Sequence, residues 1–233
     1  MVDTDRDGFD IDCCRNVRIA NRAVNTPNDD AICLKSSYAL GKPRFTEHVT
    51  ISGCQVSGFD LGTLLDGIFG KTQLETPDKE GVCGRIKLGT ESNGGFRNIA
   101  IANCVFEHCR GLAIESVDGA LIADVTVDNL AMRALTNAPL FIRLRRRMRA
   151  PEGTGVGAIR RVNISNVVVW QANAPFAPIA RRARHRHPRR ARGGGPGAPE
   201  IIARHWSPPA ISPYSSDNKN NGGDRPRRAA ACC

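Results

Sequence analysis

Five segments of this chain repeat one short pattern: a polar residue, a β-branched residue, any residue, a β-branched residue, any residue, then Asn or Gly. They are Arg15-Asn16-Val17-Arg18-Ile19-Ala20-Asn21, Glu47-His48-Val49-Thr50-Ile51-Ser52-Gly53-Cys54, Arg97-Asn98-Ile99-Ala100-Ile101-Ala102-Asn103-Cys104, Ala123-Asp124-Val125-Thr126-Val127-Asp128-Asn129 and Arg161-Val162-Asn163-Ile164-Ser165-Asn166. Alternation at a period of two is the mark of a strand with one buried face. A weaker second strand follows four of them, at Ile32-Cys33-Leu34, Thr63-Leu64-Leu65, Leu112-Ala113-Ile114 and Leu140-Phe141-Ile142. Two short strands in each unit of a few tens of residues predict an all-β chain, a single-stranded right-handed parallel β-helix of stacked coils. An Asn at a fixed place in every coil would bond backbone at the turn and form a ladder along the stack. A sandwich would need Asn-Gly or Asp-Gly hairpins between adjacent strands, and these are not found at that spacing.

Aromatic residues make up only 5% of the chain, so the interior must be built from thin aliphatic layers. Cys54 and Cys104 fall at the same point of the repeat and read as small stacked interior residues. The nine cysteines contain no CxxC spacing and indicate no metal site. The net charge of +10 is unevenly spread: 12 basic and 3 acidic residues lie from Phe176 onward, leaving 21 and 20 before it. The body is therefore nearly neutral, and no nucleic-acid partner is expected for it. No apolar run approaches the roughly 20 residues of a membrane span, and no signal peptide precedes the first motif.

The repeat units differ in length, with the largest excess between Ser57 and Gly84. Gly67-Ile68-Phe69-Gly70-Lys71-Thr72 within it lacks the remainder of a phosphate loop and reads as an ordinary loop, better suited to form one wall of a cleft. Regularity ends near Val169-Trp170. Two regions follow: a repeat domain over 1–175, and a basic tail over 176–233 rich in Arg, Pro, Gly and Ala that reads as disordered, or as the product of a shifted reading frame. The chain begins inside one repeat, so the solenoid reads as truncated at both ends.

Carboxylates cluster in the first thirty-five residues, in Asp5-Arg6-Asp7-Gly8-Phe9-Asp10-Ile11-Asp12 and in Asn28-Asp29-Asp30-Ala31-Ile32. Asp-Gly and Asn-Asp are also turn residues. If consecutive coils stack, however, these two acidic patches meet, and paired carboxyls suit the cleavage of a glycosidic bond. Three carboxyls packed together cannot all stay ionised cheaply, so one of them would keep a proton.

These elements resemble glycoside hydrolase family 28, the polygalacturonase and rhamnogalacturonase group, over residues 3 to about 172. Asp5-Arg6-Asp7-Gly8 stands where the family has Asn-Thr-Asp-Gly, and Asn28-Asp29-Asp30 matches its paired aspartates. Leu88-Gly89-Thr90-Glu91-Ser92 with Gly94-Gly95 is similar to a segment of bacterial members. The resemblance implies a pectin-lyase-like β-helix and an inverting hydrolase of acidic plant polysaccharide, with Asp29 as general acid and Asp7 and Asp30 activating water. It implies no metal or cofactor, a monomer, and a secreted or periplasmic setting.

Two departures bear on the substrate. No histidine stands at Cys83-Gly84-Arg85, where the family has Gly-His-Gly, and Arg85-Ile86-Lys87 falls one coil before the family's Arg-Ile-Lys. In a second alignment the inserted loop takes up the missing coil. Lys35, Lys87, Glu91, Glu115 and Arg143 are the candidate substrate-binding residues, with Arg143 able to pair with a uronate through its planar fork. His48 and His108 read as structural or exposed. Two other readings stand beside the enzyme: a β-helix that binds polysaccharide without cleaving it, and an inactive truncated product.

Overall fold

The computed structural model describes residues 1–77 and 81–173, and the backbone of two further strands at 177–180 and 201–204. In chain order the strands are β1 (Val2–Asp3), β2 (Phe9–Asp12), β3 (Arg15–Ala20), β4 (Ala23–Asn25), β5 (Ile32–Ser36), β6 (Thr46–Ser52), β7 (Gln55–Ser57) and β8 (Ile86–Ser92). They continue with β9 (Phe96–Glu107), β10 (Leu112–Ser116), β11 (Leu121–Leu135), β12 (Leu140–Leu144), β13 (Ala158–Ala172), β14 (Ala177–Ala180) and β15 (Ile201–Arg204). The described residues contain no helix, and so none that could cross a membrane.

The strands form two sheets, and every ladder within them is parallel. The first runs β1-β4-β7-β9-β11-β13-β15, with β3 and β6 beside it; the second runs β2-β5-β8-β10-β12-β14. The chain visits the two sheets alternately, and each strand pairs with its counterpart from the next pass. An alternating sequence folds this way because consecutive passes offer the same apolar face at the same height. In the first sheet Ile19, Ile51, Ile101, Val127 and Ile164 stack in register. In the second, Ile11, Leu34, Leu88, Ile114 and Ile142 do the same. Both columns belong to one aliphatic core between the sheets.

The recurring Asn positions have a backbone cause. Asn21, Gly53, Asn103, Asn129 and Asn166 all have positive φ, a left-handed conformation that Gly and Asn adopt most readily. It bends the first sheet at the same point in each pass. The Asn129 amide donates to Asn103 Oδ1 at 2.7 Å, and Asn166 donates to Asp128 Oδ1 at 2.8 Å. The ladder is thus made of side-chain links between passes, with Gly53 leaving one rung empty. Asn129→Ala should cost about 1–2 kcal/mol, from the left-handed backbone and the lost bond together. Urea unfolding reads this directly, and an unchanged midpoint would show that the ladder does not contribute.

Cys54 and Cys104 are buried and adjacent in the stack, as their place in the repeat implies. One expected strand is absent. Thr63-Leu64-Leu65 is a turn, because Thr63 caps it: its amide and hydroxyl both donate to the Asp60 carbonyl, and its hydroxyl oxygen accepts from Gly70 N–H. The second-sheet strand of that pass is β8 instead. Beyond the short segments β14 and β15, which add a strand to each sheet, the tail over 176–233 lies outside the described residues.

Candidate active site

Asp7 lies just before β2, and Asp29 and Asp30 lie just before β5, so the pairing of these strands stacks the two acidic turns directly. Gly8 permits the close approach: a Cβ there would lie 2.6 Å from the Ala31 carbonyl oxygen. On the other side, Gly84 has positive φ and donates its N–H to the Asp29 carbonyl at 2.9 Å; a Cβ there would meet the Ser57 carbonyl oxygen at 2.1 Å. Only glycine fits either place.

The three aspartates therefore share one spot. Asp30 N–H donates to Asp7 Oδ1 at 3.2 Å and to Asp29 Oδ1 at 2.9 Å. The Asp30 carboxylate is buried and clamped: Arg85 Nε donates to Oδ1 at 2.7 Å, Lys87 Nζ to Oδ2 at 2.8 Å, and the Cys83 thiol to Oδ1 at 3.1 Å. Burial alone would raise its pKa, but the Arg85 and Lys87 charges outweigh it and hold the group well below the usual carboxylate range. Asp29 goes the other way. Burial and then the neighbouring Asp7 charge raise its pKa, and its carboxyl is within hydrogen-bonding reach of Asp7. Asp7 in turn accepts from Lys35 Nζ at 2.8 Å, and the same ammonium bonds Asp10 Oδ2 at 2.7 Å.

The other candidate residues scatter. Lys35 is part of the cluster, bridging Asp7 and Asp10 rather than standing free. Lys87 is spent on Asp30. Glu115, with a side chain only 3% exposed, is held between Arg85 at 3.9 Å and Arg143 at 3.6 Å, so it braces these cations beneath the surface. Arg143 is a third exposed, more than Lys35 or Lys87. Glu91 lies six residues past Arg85 along β8, roughly 15–20 Å at strand rise. There it pairs with Arg147, which binds the buried Asp118. Glu91 belongs to a separate cluster and not to the aspartate site. His48 is part-exposed beside Glu47, and His108 stacks on Phe59.

No family model matches this chain, and no curated protein or solved structure matches it.

Because β5 pairs directly with β8, no pass intervenes between Asp30 and Arg85, and the excursion after Ser57 contributes no strand of its own up to Pro77. The excursion instead packs beside the aspartates: Gly62 N–H donates to Asp3 Oδ2, Asn25 bridges Asp3 and the Phe59 carbonyl, and Gln73 donates to Asn28 next to Asp29. Sequence reasoning missed Arg85 and Cys83 as partners of Asp30. The available signal was the alternation itself, since Cys83, Arg85 and Lys87 point to one face when extended.

Two groups bring a third donor near the aspartates, Cys33 with Asp7 and Asp30, and Cys83 with Asp29 and Asp30. Their chemistry does not fit a metal ion. Lys35, Arg85 and Lys87 already compensate the carboxylates, and burial pushes the Cys83 thiol up to about 12 and Cys33 well above its ordinary value.

Proposed function

We propose that the chain is an O-glycosyl hydrolase of pectin-type polysaccharide, galacturonan or rhamnogalacturonan, built on a right-handed parallel β-helix related to glycoside hydrolase family 28. The observation that carries the reading is the division of charge among stacked aspartates: Asp29 with a raised pKa beside Asp7, and Asp30 locked as an ion. Cleavage needs one carboxyl that holds a proton for the leaving oxygen and another that is ionised near the attacking water. Asp29 fills the first role. Asp30, with its strongly depressed pKa, is a poor proton acceptor, which leaves Asp7 for the base. Asp30 then acts as a positioning residue, its N–H bonded to the other two carboxyls. The alternation of the chain between two parallel sheets supports the β-helix.

Inversion rests on the family resemblance. Oxygens of Asp7 and Asp30, and of Asp29 and Asp30, lie within 4.8 Å of one another. Carboxyls that seat a water between them stand roughly 6.5–9.5 Å apart, and retaining pairs about 5–5.5 Å. In an inverting reaction the water would therefore sit outside the Asp29–Asp7 contact. Proton NMR of the first product formed from polygalacturonate or rhamnogalacturonan tests both points. Release of the inverted anomer is expected; the retained anomer would make an aspartate the nucleophile, and no release from either polymer would reject the hydrolase. A polysaccharide-binding role without cleavage is the second reading, favoured by the cations that already neutralise the cluster.

A further inference from the structure

A cleft of about 550 Å³ opens on the same flank, beside the passes that follow the aspartate turn. It falls within the range of small-molecule sites, about 300–1,000 Å³. Its connection to the aspartates is direct: Gln73 in its wall bonds Asn28, and Gly81-Val82 leads into Cys83, whose N–H donates to the Pro27 carbonyl at 2.8 Å. From there it runs along the stack past His108 to Gln171 and Asn173 at the end of β13. Charged residues form 24% of the chain, yet among the described residues not one lines this cleft. The polar lining is of carboxamides, the Thr136 hydroxyl and one imidazole, and Leu74 is its most exposed large apolar side chain. His108 stacks on Phe59 at 5.5 Å, and its Nε2 is buried with no hydrogen-bond partner. A hydroxyl both donates and accepts, so it would satisfy either imidazole tautomer as the ring turns toward the cleft.

We propose that this cleft is a subsite for a neutral glycosyl unit of the substrate, bound through hydroxyls by Gln73, Gln171 and Asn173 with an apolar ring face against Leu74. The inference rests on the polysaccharide reading and adds a chemical class to it. A uronate carboxylate would meet no cation among the described lining residues, only carboxamides, a hydroxyl and an imidazole. A neutral ring loses nothing there. A polymer of galacturonate alone would thus fit this flank poorly, and one that carries neutral sugars would fit it well.

The probes are D-galactose and D-galacturonate, which differ only in a hydroxymethyl against a carboxylate, read by saturation-transfer NMR on the full chain. Galactose should bind, and galacturonate about tenfold more weakly. Ala172→Trp, an exposed site at the cleft mouth, should abolish the galactose signal, and Asn173→Ala should weaken it; circular dichroism reports whether each variant is folded. Equal binding of the two sugars, or a galactose signal unchanged in both folded variants, would overturn the subsite. If galactose fails to bind while polymer hydrolysis persists, the subsite falls and the hydrolase stands. If galactose binding is lost on Ala172→Trp but no polymer is cleaved, the subsite stands and the hydrolase falls.

Discussion

Asp29→Asn should lower the rate of polysaccharide hydrolysis by about 10²–10⁴, the usual range for loss of a general acid, without weakening the fold. The side chain is nearly isosteric, and the Asp30 N–H can still bond the amide oxygen. Stability separates this account from simple damage. Asp29 has a folded pKa above its unfolded value, so its favourable contribution is complete below about 3.8 and is lost as pH rises through the raised value. At neutral pH wild type bears the cost of ionising a carboxyl beside Asp7, and the amide does not. The variant should therefore unfold at an equal or higher temperature than wild type at pH 7, with the difference shrinking as the pH falls toward 4. Wild-type activity should decline on the alkaline side as Asp29 loses its proton. A variant that keeps its activity, or one that loses activity together with its fold, would contradict the assignment.

Arg85→Met should have the largest effect on stability, about 3–5 kcal/mol, because it leaves a buried carboxylate with half of its compensation. Asp30 has a side chain 3% exposed, and Arg85 also supports Glu115 at 3.9 Å. The sign with pH follows from the depressed pKa of Asp30. Its contribution is present above the unfolded value and is lost as pH falls below it through the folded one, so the gap between wild type and variant should narrow in acid. The double variant Asp30→Asn with Arg85→Met removes the orphaned charge and should cost clearly less than the two single changes added together. Additive losses would mean that Arg85 acts by packing alone.

What could be read in the sequence was whatever a period of two determines. Val17, Val49, Ile99, Val125 and Val162 were aligned by pattern, and these same residues are paired by the backbone. The Asn turns were legible because few residues accept a left-handed backbone. The convergence of Asp7 with Asp29 and Asp30 followed from stacking the two turns. Less could be said wherever the outcome depends on which neighbour sits across the next strand. Glu115 looks like a surface acid in its own segment, and only the flanking arginines, Arg85 just before β8 and Arg143 on β12, explain its burial. Thr63-Leu64-Leu65 had the apolar content of a strand, but the Asp60 carbonyl and the hydroxyl of Thr63 close a turn that propensity does not reveal. Arg85 was not singled out, and only the pairing of β8 with β5 sets it against Asp30 as a clamp.

Carbon-detected NMR titration of the aspartate carboxyls tests the central claim most directly. Asp29 should titrate above the ordinary carboxylate range while Asp30 remains ionised through the pH at which a free aspartate is half protonated. If Asp29 titrates at or below the ordinary value, or if Asp30 takes up its proton first, these two carboxyls do not divide their states as described, and the acid role of Asp29 is lost.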